Sequence, residues 1–171
     1  MLVNPESISF KAAVPLGVDP LPARELGDRK ARNYAILENW TSFGKVTGMC
    51  FFGPAPRSFI AVDEIVQLVR AVTGWDVALD DLLRIGERAT NLARAFNVLH
   101  GFSRTDDTLP PRLFEPLPCG PMEGVAISKP EFERTMGALY ELKGWNPVTA
   151  APTRDRLRGL QIEWVADLLE A

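Results

Sequence analysis

The sequence predicts an all-helical (all-α) fold, an irregular array of five helices joined by long proline-rich connections. Apolar residues recur every three or four positions in several segments, which is the period of one helix face. Glycine, proline and capping residues stand at the ends of these segments. No segment alternates apolar and polar residues for long enough to indicate a sheet. The 171 residues, 46% of them hydrophobic, suffice to bury one sizeable core.

Residues 1–27 are predicted to form an extended arm, and residues 28–171 the helical domain. The arm contains four prolines, which interrupt any helix: Pro5, Pro15, Pro20 and Pro22. An arm without periodicity of its own must lie on another surface or stay mobile. At the start of a chain, it also suggests a cut made inside a larger protein.

Capping residues bound the first two helices. The first is predicted from Asp28, whose carboxylate can cap a helix N-terminus, to about Val46. The second begins at Asp63 and ends before Gly74, a residue suited to a left-handed cap. Between them, the apolar segment GMCFFG of residues 48–53 is either a last helical turn or a tight buried bend.

The third helix is the longest and begins at Asp80 or Asp81. Its apolar residues form one stripe that is predicted to face the core: Leu82, Ile85, Ala89, Leu92, Ala93 and Phe96. Gly101 stands where a left-handed cap would end the helix. Residues 102–127, with five prolines, are too long for an ordinary connection, so they are either a functional loop or a strap over a surface.

The last two helices begin at recognisable caps. The segment SKPE of residues 128–131 has the Ser-x-x-Glu form of a capping box, and Gly144 ends the fourth helix. Thr153 caps the fifth helix. The buried side of that helix is predicted to consist of five residues: Leu157, Leu160, Trp164, Val165 and Leu168. Core packing is also the interpretation of all four tryptophans: Trp40, Trp75, Trp145 and Trp164.

Charge and composition exclude several classes of function. The formal net charge of −3 offers no basic surface for nucleic acid or for an anionic membrane. No apolar run approaches the roughly 20 residues of a membrane span. The N-terminus lacks the basic stretch and apolar core of a secretory signal, so a cytoplasmic location is predicted. Two cysteines and one histidine cannot supply the four ligands of a closed zinc site or of an iron–sulfur cluster.

Polar groups near residue 100 have structural interpretations. His100, Ser103 and Asp106 resemble the members of a hydrolase triad, but neighbours on one loop rarely have triad geometry. His100 is therefore interpreted as a surface or capping histidine. The same loop carries a mixed-charge cluster: Arg104, Asp106, Asp107 and Arg112. Its carboxylates could bind a metal or act in acid–base chemistry, but turn hydrogen bonds and pairing with these arginines explain them better.

Cys50 has two interpretations from the residues alone. A lone cysteine among apolar neighbours is usually a small core residue, which is the preferred interpretation. Its place at a helix end after Gly48 also suits a metal-bound thiolate, since glycine allows close backbone approach and apolar neighbours exclude water. Cys119, on a loop, is interpreted as an incidental thiol.

An ordered series of segments resembles the C-terminal region of the aldehyde ferredoxin oxidoreductase family. The similarity extends from about residue 30 to about residue 160. Its segments are TGWD at 73–76, DLLRIGER at 81–88, NLARAFN at 91–97, GFSRTDDTLP at 101–110 and YELKGW at 140–145. The resemblance implies a family of tungsten enzymes whose metal is held by two pterin dithiolenes beside a 4Fe–4S cluster. Such enzymes oxidise aldehydes to carboxylic acids and pass electrons to ferredoxin.

The resemblance also implies site residues. The family's fourth cluster cysteine closes an Asp-x-x-Gly-Leu-Cys motif that contacts a pterin, and KVTGMC at residues 45–50 occupies that place here. It implies that Cys50 is a metal ligand, that Lys45, Gly48 and Met49 lie against the cofactor, and that the chain holds no catalytic residue. Met49 replaces a leucine, whereas Lys45 replaces the aspartate with an ammonium that donates where a carboxylate accepts.

A missing partner follows from the same resemblance. The family's N-terminal pterin-binding region and its three other cluster cysteines are not in this sequence. The chain alone is therefore expected to be inactive and to hold neither a tungsten (or molybdenum) bis-pterin nor a cluster. Its expected partners are that region, on the same or a separate chain, and ferredoxin, and an uncovered apolar patch beside Cys50 would promote self-association. The alternative is a stand-alone helical binding or scaffold domain that has lost the redox role.

Overall fold

A computed structural model describes residues 13–22, 24–50 and 60–170. They form six α-helices: α1 Asp28–Val46, α2 Val62–Thr73, α3 Leu79–Leu99, α4 Lys129–Lys143, α5 Arg154–Gly159 and α6 Trp164–Glu170. Three short 3₁₀ helices accompany them: Val14–Leu16, Arg104–Asp106 and Pro111–Phe114. These residue ranges contain no strand, and Trp145 and Pro152 form an isolated bridge. The predicted all-helical fold class is confirmed.

The chain divides the fifth predicted helix into α5 and α6. Gln161, which follows α5, has a φ of 62°, and this left-handed conformation does not continue a helix. Because the break changes the register of the second half, Trp164 and Leu168 are 59% and 50% exposed, against the prediction. Three residues of the predicted stripe are buried as expected: Leu157, Leu160 and Val165.

Helices α1 and α3 cross at the centre of the molecule. Their closest approach is at Gly86, where an added Cβ would lie 1.8 Å from the carbonyl oxygen of Asn39. One turn further on, the hydroxyl of Thr90 donates to Ser42 at 3.2 Å. Only glycine allows the two backbones to come this close.

Two hydrophobic clusters form the core. The first joins the N-terminal segment to α1, α2 and α3 through Ala13, Leu16, Val18, Trp40, Phe43, Val62, Ile65 and Leu82. The second joins the later part of α3 to the C-terminal helices through Ala95, Leu157, Leu160, Ile162, Val165 and Ala166. The segment from Ala13 onward thus packs on the helices, while residues 1–12 lie outside the described residues. The domain boundary after residue 27 stays a prediction.

The apolar stripe predicted on α3 is buried only along its first half. Leu82 is fully buried, whereas Leu92 and Phe96 are 37% and 59% exposed. The inward side of the second half instead carries Asn91, Arg94 and Ala95. Polar residues suit this position because the connections packed there present backbone and indole groups that need hydrogen-bond partners.

The tryptophans divide in the same way. Trp40 is 3% exposed and Trp145 is half-buried, so core packing is confirmed for the first and partly for the second. Trp75 is 59% exposed, because it follows the left-handed cap Gly74 and projects from the connection to α3. The core interpretation was wrong for Trp75 and Trp164.

The proline-rich connection folds on itself and is fastened to α4. The Leu117 N–H donates to the Val125 carbonyl at 3.0 Å, and the Leu117 carbonyl accepts from the Gly124 N–H at 2.9 Å. Phe114 packs edge-on against Phe132 of α4, with 5.7 Å between the ring centroids. Residues 102–127 were predicted to be either a functional loop or a strap over a surface, and these contacts favour the strap. Within the described ranges, every helix falls short of the length and apolarity that a bilayer crossing requires.

Candidate functional site

Helix α1 ends in a Schellman motif formed by the predicted site residues. Gly48 has a φ of 72°. Its N–H donates to the Lys45 carbonyl at 3.2 Å, and the Met49 N–H donates to the Gly44 carbonyl at 3.0 Å. The position of a Cβ on Gly48 is open, so its left-handed conformation, rather than a close approach, explains why a glycine stands here.

This cap determines where the neighbouring side chains lie. Met49 packs against the first core cluster, as the hydrophobic residue after a Schellman motif commonly does. Lys45 is exposed in the last turn of α1, where its charge is favourable beside the helix C-terminus. Cys50 is exposed. The core-packing interpretation of Cys50 was therefore wrong, because the capped turn packs Met49 on the core and leaves the following thiol accessible.

A cleft of about 470 Å³ opens between α1, α3 and α4, and Lys45 and Val46 lie at its edge. Its apolar lining includes Ala89, Ala93, Met136, Leu139 and Trp145. Its polar lining includes Tyr34, Glu38, Ser42, Thr90 and Asn97. The fold thus brings Lys45 to the cleft, whereas Gly48, Met49 and Cys50 are not among its lining residues.

A buried ion pair forms part of the cleft. The Lys143 ammonium, whose side chain is 4% exposed, pairs with the Glu38 carboxylate. The Tyr34 hydroxyl donates to the same carboxylate at 3.3 Å. Desolvation by burial, with the negative charge of Glu38 adding to it, raises the pKa of Tyr34 to about 12. Tyr34 therefore stays a neutral donor at physiological pH.

The group of Tyr34, Glu38 and Lys143 was not among the predicted site residues. Tyr34 and Glu38 are four residues apart, a spacing that places both on one face of a helix and that could have been noticed. Lys143 is more than a hundred residues away in the chain, and nothing in its local pattern indicates that it turns inward.

A second buried network centres on Arg94. Its guanidinium donates to both carboxylate oxygens of Asp107, at 3.0 and 2.6 Å, and its Nε donates to the Ala150 carbonyl at 2.8 Å. The Tyr140 hydroxyl donates to the same carboxylate. Desolvation by burial, followed by this hydrogen bond, raises the pKa of Tyr140 to about 12. Arg94 thus joins α3, α4 and two connections.

Of the structural interpretation of the loop after α3, the turn hydrogen bond is confirmed for Asp106, whereas the predicted pairing is wrong for Arg104, which pairs with Glu133. Asp106 accepts from the Ser103 N–H at 2.7 Å, a local turn bond. Asp107 pairs with Arg94 rather than with Arg104 or Arg112. His100 caps α3 and is exposed, with its Nδ1 2.9 Å from the Phe96 carbonyl. Among the residues that the structure describes, no group of three or more His, Cys, Asp or Glu side chains could hold a metal ion.

Comparison with known proteins assigns the chain to a family. Residues 2–162 match the family described as "Aldehyde ferredoxin oxidoreductase, domains 2 & 3". The tungsten-containing aldehyde ferredoxin oxidoreductase of Pyrococcus horikoshii is 30% identical over 165 residues, which are 95% of this chain and 25% of that protein. The enzyme of the same name from Pyrococcus furiosus is 31% identical over 164 residues, 94% of this chain and 25% of that protein.

A differently named relative matches a shorter part. The "Aliphatic sulfonate oxidoreductase, WOR-like subunit" of Pyrococcus furiosus is 31% identical over 90 residues, 49% of this chain and 14% of that protein. The chain spans about a quarter of the length of the tungsten-containing relatives. Because the family match covers nearly all 171 residues, this chain belongs to the aldehyde ferredoxin oxidoreductase family, and its match lies within the region described as domains 2 and 3.

Proposed function

We propose that this chain is the helical part of an aldehyde ferredoxin oxidoreductase-like enzyme, and that it donates Cys50 to a 4Fe–4S cluster and walls the pocket beside the cofactor. The observation that supports this most is the exposed thiol of Cys50, placed directly after a capped helix end in a chain of this family. The Schellman motif restrains the backbone as far as Met49, directly before the residue that carries the thiol.

The residues present fit one ligand of such a cluster. A 4Fe–4S cluster takes four thiolates, and the chain has two cysteines. Cys119 lies far along the chain on the proline-rich connection, so Cys50 would be one ligand and the remaining enzyme would supply three. When bound, the tungsten (or molybdenum) bis-pterin would supply the oxidation of an aldehyde to a carboxylic acid, with the cluster passing electrons to ferredoxin. The chain by itself would be inactive.

The chain's own residues would donate hydrogen bonds to the cofactor and exclude water from the cleft. Lys45, exposed beside the cleft, would donate hydrogen bonds to an oxygen of the pterin cofactor, with Gly48 and Met49 adjoining. The apolar lining of the cleft, which includes Ala93 and Leu139, would exclude water. Tyr34, held neutral by its raised pKa, would keep its hydroxyl proton for donation toward Glu38.

The two cysteines provide a matched test of the ligand role. Both thiols are exposed, but only Cys50 follows the end of α1. The chain is produced together with the remaining, cofactor-binding region of its enzyme, and iron content and the paramagnetic resonance spectrum of the reduced complex are measured. Cys50→Ala is expected to lose the cluster signal and its iron, and Cys119→Ala to keep both. Unchanged iron and spectrum in Cys50→Ala would contradict the proposal and favour the stand-alone scaffold domain.

A further inference from the structure

We infer that the second half of α3 carries the face on which the cofactor-binding remainder of the enzyme docks. This inference rests on the proposed function, because it names the partner that the site requires. The face, here called the α3 face, consists of Leu92, Phe96, Leu99 and Phe102, which are 37%, 59%, 51% and 53% exposed. The first three are spaced by four and three residues, so they lie on one side of the helix.

The α3 face lacks charge. From residue 89 to residue 103 the only charged side chain is Arg94, and it is buried and paired with Asp107. Charged residues make up 24% of the whole chain, so a stretch of this length would ordinarily carry three or four. The first half of α3 is charged by contrast, with Asp80, Asp81, Arg84, Glu87 and Arg88. Depletion of charge with exposed aromatic rings is typical of the core of a protein–protein interface.

The end of α3 shows an uncovered apolar residue where α1 has a covered one. Helix α3 also ends in a Schellman motif, with the Gly101 N–H donating to the Val98 carbonyl and the Phe102 N–H to the Asn97 carbonyl, both at 3.0 Å. Phe102 therefore occupies the position that Met49 occupies after α1. Met49 packs on the core, whereas Phe102 is 53% exposed.

His100 enlarges the same apolar surface. Its ring stacks on that of Phe96, with 4.1 Å between the centroids. Stacked rings expose a rigid aromatic surface that loses little conformational entropy on binding, and aromatic residues are enriched among those that dominate binding energy.

Two other groups of exposed apolar residues have charged neighbours along the chain. On α2 and the turn after it, Leu68, Val72 and Trp75 are exposed but lie among Glu64, Arg70 and Asp76. On α6, Trp164 and Leu168 lie beside Glu163, Asp167 and Glu170. Single apolar residues among charges are normal on a protein surface. The α3 face is distinguished by its place in the stretch from residue 89 to residue 103, where the one charged side chain, Arg94, is buried.

Its position indicates the occupant. Ala93 and Asn97, which adjoin the α3 face on the same helix, line the cleft together with Lys45 and Val46 at the end of α1. A body that covers the α3 face therefore also adjoins the cleft that Lys45 and Val46 line. This chain matches 25% of each tungsten-containing relative, so the remainder of each relative is about three times as long as the matched part. The geometry thus favours the cofactor-binding remainder over a second copy of this chain.

Phe96 and Trp75 provide the test, because each is 59% exposed and only Phe96 belongs to the α3 face. The chain is produced with the affinity-tagged remainder of its enzyme, and the dissociation constant and the mass of the complex are measured. Phe96→Glu is expected to weaken assembly roughly tenfold or more, and Trp75→Glu to leave it unchanged. The melting temperature and circular dichroism of each variant chain alone check that the exposed substitution leaves the fold intact.

The outcomes separate this inference from the ligand proposal. Cys50→Ala is expected to assemble normally. If it does so and its iron content is also unchanged, the ligand role of Cys50 is wrong, whereas the docking inference is unaffected. Wild-type affinity in Phe96→Glu would overturn the docking inference. A dimer of the isolated chain would also overturn the inference under two conditions: Phe96→Glu disperses it, and the tagged remainder does not displace it. The α3 face would then bind a second copy of this chain.

Discussion

Gly86 of α3 lies directly against the backbone of Asn39 in α1. A Cβ on Gly86 would be 1.8 Å from the Asn39 carbonyl oxygen and 2.9 Å from the backbone nitrogen of Phe43. Backbone atoms cannot give way by changing a rotamer, so any side chain at this position must push the helices apart. The same crossing sets the relative position of the two helices that border the cleft. It therefore also sets the position of the end of α1, which precedes Cys50.

Gly86→Ala is expected to lower the free energy of unfolding by about 3 kcal/mol, the upper part of the range for overpacking, because the clash is with backbone. Urea unfolding monitored by circular dichroism measures the change. Gly137→Ala in α4 is the control, since its Cβ position is open and alanine is the better helix former. That variant should gain about 0.5–1 kcal/mol. Equal effects of the two substitutions would show that helix propensity, not the crossing, decides the outcome.

Local signals predicted most of the fold. The first helix ends at Val46 as predicted, because Gly48 supplies a left-handed cap that any helix can use. Ser128 starts α4 by accepting from the Glu131 N–H at 3.4 Å. The break at Gln161 could not be predicted, since glutamine has no preference for a positive φ. The close approach at Gly86 was equally hidden, because a glycine inside a helix does not indicate which element it meets.

The candidate site was predictable only where its residues are consecutive. The family resemblance predicts Lys45, Gly48, Met49 and Cys50 together, because they lie in one segment. The exposure of Cys50 could not be read from its apolar neighbours, because the cap turns Met49 inward and leaves the next residue outside. The cleft joins α1 to α4 through residues separated by more than a hundred positions, and no local pattern encodes such a contact.

Arg94 is expected to be highly sensitive to substitution. Arg94→Ala would leave the Ala150 carbonyl without its guanidinium donor, and the Asp107 carboxylate without its positive partner and with only the Tyr140 hydroxyl as donor. Removing one member of a buried ion pair typically costs about 3–5 kcal/mol, and a loss near 3 kcal/mol is expected because Asp107 is partly exposed. Thermal and urea unfolding measure it.

The control for Arg94 is Arg158, which pairs with Asp155 and Glu163 at the surface. Arg158→Ala is expected to produce no measurable change, because exposed pairs lose to solvent and side-chain entropy what they gain in attraction. A small effect of Arg94→Ala, similar to that of Arg158→Ala, would mean that the network does not hold the connections to α3 and α4.

Gly48 and Gly44 test the cap of α1. Gly48→Ala forces an alanine into a left-handed conformation and is expected to cost about 1–2 kcal/mol, although its Cβ position is open. Gly48→Asn should cost less, since asparagine adopts this conformation more readily. Gly44→Ala, in the helical part of α1 with open space, should not destabilise. If Gly48→Ala unfolds at the same urea concentration as the parent chain, the Schellman motif does not restrain the turn before Cys50.

The raised pKa values of the two tyrosines of the chain predict that the fold loses stability at alkaline pH. The pKa values of Tyr34 and Tyr140 are raised from 10.0 to about 12, chiefly by burial of the phenols, with Glu38 and Asp107 adding to the shifts. Because the folded pKa lies above the unfolded one, the fold favours the neutral phenol. This stabilisation is complete below pH 10 and is lost as the pH rises through 12.

Tyrosinate absorbance separates the two groups. The native chain should show little ionisation at pH 10, whereas the chain in urea should be half ionised there. Tyr34→Phe and Tyr140→Phe should each remove one of two ionisation steps near pH 12. Tyr140 should ionise only as the network of Arg94 and Asp107 opens, and its step should therefore coincide with the loss of helical circular dichroism. A native step at pH 10 that Tyr140→Phe abolishes would show that the Tyr140 phenol is solvated and that the network is not closed.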